Sequence, residues 1–544
     1  MIKVSQQFKQ AVYNQNKRRT SAKVSFEILD NEAYDDNIAT VTSEATISRK
    51  HQLTNKKRNM THKYATFERD YFKLDSSFYI PPKSNEGNGE LGWWSDDISD
   101  ENGIFTPYQV LEFNFAEEHN SMGLTITFDV LSKEYASDFD IEVYRLDNTL
   151  IHKEEVINND KTTYVLVQGL DNYGKIIITI KRWAKPFRRV RITELDFGVI
   201  QDYEDDKLIK LNIIEQMNII SDTIPSNEIK FTIDNSNKEF NILNPSGFYR
   251  FLKERQEVKA AIGVEIGEDE FEYIPMGKFY LIDWQSDEGA LTTTFIARDI
   301  FELLDQKEYT SISNTNLYDL AEDVLIKAGV KDYYIDEGLK QISASGFSKP
   351  LNSRKALQYI GIAGMAAIYQ DRQGVLQIKQ FKVLDERDTQ YIYFVGPDMF
   401  AGMIYTAVDE GYDMKNITFD NVYKEPQIKL DKLLYSIVMV VNNGQVKEEV
   451  TFYNEGIKEG SSFKIDNPLI NTVEHAQEVA EWIIEEYNLR VIYNINWRQN
   501  PCLECGDIVL VEDSFNAKKQ SRIIKQEFEY QGYLSGKTET KGGV

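Results

Sequence analysis

Apolar residues recur at every second position along most of this chain, the period of a strand with one face in a core. The clearest stretch runs from Phe231 to Asp299. Ile229, Phe231 and Ile233 share one strand face there, and further strands are predicted around Val258 to Val264, Tyr273 to Trp284 and Leu291 to Ala297. Asn244-Pro245-Ser246-Gly247 reads as a loop, and Phe248, Phe251 and Leu252 as a short amphipathic helix. Together these elements predict a compact β-barrel with one helix across an end.

Val24, Phe26 and Ile28 also alternate, and a polar turn from Asp30 to Asn37 leads to apolar positions at Val41 and Ile47, which predicts a hairpin. A basic run, Arg49 to Lys63, and an acidic run, Gln201 to Lys207, then bracket about 140 residues that alternate on their own. In that block Leu111, Phe113 and Phe115 form one inward face, and Leu124, Ile126 and Phe128 another. Ile141, Val143, Ile176, Ile178 and Ile180 continue the series. The apolar phase slips between Val190–Ile192 and Leu195–Phe197, so a bulge is expected near Thr193-Glu194. Short strands without a helical period predict a β-sandwich inserted between two parts of the barrel.

After Asp299 the period changes. Leu317, Leu320, Ala321, Val324, Leu325 and Ala328 fall at helical spacing with Gly329 at the end, and a second helix is expected from a Ser353 cap through Ala356, Leu357 and Ile360. Asp371-Arg372-Gln373-Gly374 reads as the turn of a hairpin. Strands resume at Ile417 to Phe419, Ser436 to Val441 and Glu449 to Phe452. A helix from Asn471 to Tyr487, with Asn471 and Glu474 as its capping box, interrupts them. Val491 to Trp497, Leu503 to Val511 and Ile524 to Tyr530 close a second barrel. The predicted class is mainly β with α+β parts. Its domains are a discontinuous first barrel (1–60 with 201–299), an inserted jelly-roll sandwich (61–200), a small α+β domain (300–400) and a second barrel with a helix (401–544).

Composition narrows the function classes. The formal charge is −25 over 544 residues, and residues 1–63 hold 12 Lys/Arg against 6 Asp/Glu, leaving about −31 for the rest. Such acidity argues against a nucleic-acid-binding role. Two cysteines exclude a disulfide framework. The first 20 residues lack the apolar segment of a secretion signal, and the apolar run Ile360 to Tyr369 is too short to span a bilayer.

Catalytic signatures are weak. Gly87-Asn88-Gly89-Glu90-Leu91-Gly92 satisfies a dinucleotide glycine pattern but follows Pro81-Pro82-Lys83-Ser84 rather than a strand. Cys502 and Cys505 form a single C-x-x-C beside a strand turn, and a zinc site needs a second pair. The five histidines form no close ligand pair. The run Asp96 to Asn102 could offer oxygen ligands to calcium but lacks the EF-hand spacing. No catalytic residue, cofactor or metal is therefore assigned. Trp93, Trp94 and Tyr108 are the candidates for stacking on a sugar face, with a core position for at least one of the two tryptophans as the alternative.

Three segments carry a resemblance: Asp234-Asn235-Ser236-Asn237-Lys238-Glu239-Phe240-Asn241 with Asn244-Pro245 and Gly247; Phe251-Leu252-Lys253 through Gly263-Val264; and Met276-Gly277-Lys278-Phe279-Tyr280-Leu281-Ile282-Asp283-Trp284. In order and spacing the chain resembles the tail hub, or tail-associated, proteins of tailed bacteriophages. The inserted block is similar to the discoidin or galactose-binding jelly rolls at Gly92-Trp93-Trp94-Ser95, Leu111 to Phe115, Gly123 to Phe128 and Arg189 to Gly198. The resemblance implies a homotrimeric, non-enzymatic virion protein of the tail tip or baseplate, made in the bacterial cytoplasm. It implies two hub barrels per chain around a bore, with an outward domain for host cell-wall carbohydrate. The implied partners are the tail tube or distal tail protein and the tape-measure protein, with DNA passing an acidic lumen without specific binding. No wall-degrading domain is expected beyond Val544. A wall-glycan-binding or wall-glycan-cleaving enzyme and a receptor-binding adhesin are the alternatives from other classes.

Overall fold

Alternation carries most of the chain into antiparallel strands, and the structure is mainly β with a few helices. The computed structural model describes residues 1–13, 18–58, 60, 62–80, 89–204, 206–241, 244, 247, 251–286, 291–312, 314–381, 416–442, 447–512 and 518–543. The expected helix at Phe248 to Leu252 and the turn before it fall partly outside these residues. So do the Pro81 to Asn88 part of the glycine pattern and the boundary expected near residue 400. Two units divide the chain: Met1–Ser25, Asp202–Lys238 and Glu257–Val544 form one, and Phe26–Gln201 with Glu239–Gln256 form the other.

In the first unit, Glu257–Gly267 pairs with Glu270–Gln285, that strand with Thr292–Arg298, and so through Glu228–Asp234 to Leu208–Gln216. Ile229, Phe231 and Ile233 are buried as their alternation predicts. Phe231 lies opposite Phe295 across the ladder, with the rings stacked at 5.0 Å. The next strand comes from the other end of the chain: Leu208–Gln216 pairs with Lys518–Tyr530, Leu211 opposite Tyr530 and Ile213 opposite Phe528. Tyr530 Oη then donates to Thr20 O (3.3 Å) and Leu534 N to Thr20 Oγ1 (3.0 Å), while Glu265 N donates to Arg19 O (3.1 Å). These contacts return the path to its start and close the first barrel.

Lys518–Tyr530 also pairs with Leu534–Gly542, which pairs with Val491–Trp497. Trp497 bridges to Val422, and Asn416–Ile417 pairs with Ile508–Glu512, whose other neighbour is again Lys518–Tyr530. The two barrels expected as separate bodies therefore share one strand.

The α+β part carries helices Leu317–Ala328 and Ser353–Ala363 and a three-stranded sheet of Tyr333–Ile335, Leu376–Gln380 and Ala366–Gln370. Asn316 caps the first helix, and Gly329 ends it at φ +80°. Two caps differ from expectation by one residue. Asn352, not Ser353, caps the second helix by accepting from Lys355 N, because Ser353 Oγ is engaged by Lys307 O. Thr472, not Asn471, caps Val473–Asn488 by accepting from His475 N. The hairpin turn at Asp371 to Gly374 sends Arg372 into the barrel wall. Its guanidinium meets Glu215 Oε2 (2.8 Å) and the carbonyls of Leu503 (2.5 Å) and Pro501. Gln526, opposite Glu215 on the shared strand, donates to the same carboxylate (3.1 Å) and to Leu503 O (2.8 Å). All three side chains are buried.

The second unit is the sandwich. Its strands run in the order Trp93–Ile98, Arg189–Asp196, Ile104–Phe128, Thr163–Trp183, Ala136–Tyr144, Leu150–Val156. The two apolar series at Leu111 and Leu124 belong to one strand of 25 residues, whose register with Thr163–Trp183 shifts between Asn114 and Gly123. The slip at Thr193 is a bulge, with register lost between Ile192 and Glu194. One expectation fails: Asn37–Val41 does not form a hairpin with Thr20–Leu29 but pairs with Leu111 to Phe115. Residues 37–41 cover the edge of this long strand, and their neighbours Ala33 and Leu53 are buried in the sandwich core.

The basic run expected as a hinge lies on this unit for an electrostatic reason. Arg58 binds Asp196 through Nε (2.7 Å) and Glu27 through Nη1 (2.7 Å), and Tyr34 Oη donates to Asp196 (2.8 Å). Glu194 accepts from Lys56 N (2.8 Å) and Lys57 N (3.2 Å), and burial pushes its carboxyl up to about 9.

Arg372→Ala leaves Glu215 without its cation inside the wall, and urea denaturation is expected to show a loss of about 3–5 kcal/mol. For Glu194, the unfolded chain gives up the proton near its ordinary value while the folded chain keeps it until about pH 9. Stability of the sandwich therefore falls as pH rises through that window. Glu194→Gln is expected to flatten the slope in thermal melts at stepped pH, and an unchanged slope would refute the assignment.

Candidate functional site

At one end of the sandwich the loops 96–104, 129–137, 157–162 and 182–188 gather. Ser99 N donates to Arg188 O (2.9 Å), Ala184 N to Tyr135 O (3.0 Å) and Asn159 N to Ser137 O (2.9 Å). Trp93 and Trp94 lie near this end, but neither offers a face to a ligand. Trp93 is buried in the sandwich core, with its indole N donating to Ser43 O (2.9 Å). Trp94 is 1% exposed and donates to Leu91 O (3.1 Å). Its ring carries the Arg191 guanidinium at 4.5 Å, and Tyr71 flanks the same cation at 4.1 Å.

Arg191 is itself fully buried and pairs with Glu68 (2.5 Å), Glu134 (3.0 Å) and Asp129 (3.7 Å). The expectation that these two tryptophans stack on sugar is corrected accordingly. One ring fills the core and the other neutralises part of the cost of a buried cation.

Tyr108 stands differently. It is 49% exposed and lines a cavity of about 250 Å³ with Ile104, Asp138, Glu155, Lys181 and Arg182. It follows the cis Thr106-Pro107 bond on Ile104–Phe128. The polar residues come from three other strands: Asp138 from Ala136–Tyr144, Glu155 from Leu150–Val156, and Lys181 and Arg182 from Thr163–Trp183. Register brings them together, with Asp138 and Ile104 both opposite Arg182.

Lys181 Nζ lies 2.7 Å from Asp140 and 3.3 Å from Glu155, and Arg182 Nη1 lies 3.8 Å from Asp138. The hydrogen bond to Asp140 holds the Lys181 ammonium above its ordinary value. The cavity thus combines a half-exposed ring with donors and acceptors in balanced ion pairs. Such a surface can stack on the C–H face of a pyranose and hydrogen-bond its hydroxyls.

The sequence singles out Tyr108 but not Asp138, Glu155, Lys181 and Arg182, which line the same cavity. They are polar residues on strands far apart in the chain, and only the register unites them.

Other expected features are held by local structure. Asp100 Oδ1 accepts from Asn102 N and Ile104 N (both 2.8 Å), and Asp97 Oδ2 from Gln109 (3.0 Å). The acidic loop therefore uses its carboxylates to fold itself. Cys502 Sγ donates to Asn500 Oδ1 (3.0 Å), burial pushes its thiol up to about 12, and burial also holds the Cys505 thiol well above its ordinary value. Among the described residues no group of three His, Cys, Asp or Glu is placed to hold a metal ion, and no helix is long and apolar enough to cross a membrane. In the barrel unit a groove of about 380 Å³ contains Asp431 and Glu486, each paired with a cation: Lys541 at 3.3 Å and Arg522 at 3.1 Å.

No protein-family model matches the chain, and no curated protein matches it. Solved structures do. A tail protein from Neisseria meningitidis MC58 is similar at a TM-score of 0.43 and 9% identity, over 63% of this chain and 93% of that one. The 43 kDa tail protein of prophage MuSo2 from Shewanella oneidensis is similar at 0.40 and 15%, over 62% and 95%. A family 32 carbohydrate-binding module from C. perfringens NanJ, solved with galactose, is similar at 0.21 and 14%, over 32% and 99%. The structural neighbours are phage tail proteins and, for the inserted jelly roll, carbohydrate-binding modules.

The different placement of the aromatic residues has a direct test. Trp94→Ala is expected to cost about 3–5 kcal/mol in denaturation. Tyr108→Ala, at an exposed position, should stay within about 0.5 kcal/mol of the parent.

Proposed function

We propose that this chain is a structural protein of a phage or phage-derived tail: a homotrimeric hub at the tail tip whose barrels surround a bore and continue the tube. What carries the proposal is the strand Lys518–Tyr530, which belongs to both barrels. A shared strand fixes the spacing and tilt of one barrel against the other, so each chain acts as a rigid double tile. Three such tiles supply pairs of barrels around a ring, the arrangement that meets a sixfold tube. The tube or distal tail protein would dock on the ring and the tape-measure protein would occupy the bore. The genome would pass an acidic wall that its phosphates do not bind.

In the same proposal the sandwich binds host cell-wall carbohydrate at Tyr108, with Asp138, Glu155, Lys181 and Arg182 contacting hydroxyls. The chain has a structural and binding role, with no catalytic residue assigned.

Solution mass of the full chain, with electron-microscope images of the same sample, tests the hub. The expected result is three times the chain mass and a three-fold ring with a central hole. A monomer at every concentration would overturn it. For the sugar, purified host wall polysaccharide should bind the parent and lose about tenfold in affinity with Tyr108→Ala, roughly 1.4 kcal/mol. Equal binding would remove Tyr108 from the site.

A further inference from the structure

Gln427–Leu430 is the last strand of the thirteen-stranded sheet. It pairs with Val491–Trp497 on one side, and no strand lies on its other side among the described residues. All four of its residues are exposed, Ile428 at 58% and Leu430 at 59%. A four-residue strand with both faces and one edge in water gains little from its own chain. It is also basic: Lys424, Lys429 and Lys432 are exposed and have no ion-pair partner among the described residues.

A second open edge lies in the same unit. Lys447–Tyr453 is an outer strand of the small sheet that it forms with Leu434–Asn442 and Ser461–Asp466. It exposes Tyr453 and carries Glu448, Glu455 following; neither carboxylate has an ion-pair partner among the described residues. Its neighbours Lys447 and Glu449 are already taken, by Asp466 (2.9 Å) and by Lys464.

We infer that these two edges are the two halves of one interface between copies of this chain: Gln427–Leu430 of one copy adds to Lys447–Tyr453 of the next by main-chain pairing. The occupant is a second copy because each edge supplies what the other lacks. One offers three unpaired lysines around Ile428 and Leu430 against the single carboxylate of Glu425, and the other offers Glu448 at the opposite end of the strand from the exposed Tyr453. The chain as a whole repels anions and itself, so a contact between copies needs such a local exception. Because the two surfaces differ, the contact is head-to-tail and does not stop at a two-fold dimer, and in the trimer proposed above it repeats three times around the ring. It rests on the trimeric hub proposed above and names the elements that hold it together.

Charge reversal on the full chain tests the interface. Lys429→Glu and Glu448→Lys each place like charges across every contact of the ring. Each is expected to raise the dissociation constant of the trimer at least tenfold in sedimentation. The double variant restores opposite charges at each contact and should return to within threefold of the parent. Amide hydrogens of both strands should exchange at least tenfold more slowly in the parent assembly than in Lys429→Glu. Both substitutions are at exposed positions, and an unchanged far-ultraviolet circular dichroism spectrum confirms the fold.

Single variants that remain trimers, or a double variant that fails to recover, overturn the pairing while leaving the trimer intact. Variants that stay trimeric but lose attachment to tail tubes would assign the edge to a tube protein and also overturn it. A parent that is monomeric throughout would sink the hub proposal itself.

Discussion

The structure depends on how one strand is held. Lys518–Tyr530 is a ladder partner in two barrels at once, so anything that displaces it opens both. Hydrogen bonding along its edges is satisfied on each side, but edges alone leave a shared strand free to slip by two residues. The buried triad of Arg372, Glu215 and Gln526 removes that freedom. Arg372 reaches in from the α+β hairpin and binds the Glu215 carboxylate on one strand and the Pro501 and Leu503 carbonyls on the turn after Asn500. Gln526 on the shared strand binds the same groups. A shift in register would leave a cation or a carboxylate unpaired in a dry interior, which is far costlier than a lost apolar contact.

The sandwich uses the same device at its periphery. Arg58 and Arg191 are long cations drawn into carboxylate pairs, and each fastens a loop that the apolar core does not reach. Arg191 takes up the ring of Trp94 as well, which is why that residue is not free for a ligand. Tyr108 and the ion pairs beside it line a cavity at the rim instead, where the proposed sugar site lies.

Much of the fold was legible because local physics left few choices. Alternation at Ile229, Phe231 and Ile233, the helical period from Leu317 to Ala328 and the phase slip at Thr193 each reflect one element burying one face. The misplaced details have equally physical causes. Adjacent polar residues such as Asn471 and Thr472, or Asn352 and Ser353, are equally able to cap, and the neighbouring chain decides which is free to do so. The expected hairpin failed because Val41 had two strands to choose from and the longer one offered the uncovered edge.

Sequence alone determined the element types, the strand faces, the acidic balance and the presence of a sandwich block between barrel-forming segments, since each follows from period and composition within a short window. Tertiary structure alone decided that the barrels share a strand, that Trp94 serves a buried arginine, and that Tyr108 has charged neighbours. Those outcomes depend on register between segments up to some 300 residues apart. A sequence window contains no term for them, because hydrogen bonding and charge pairing act across space between partners that only the folded chain selects.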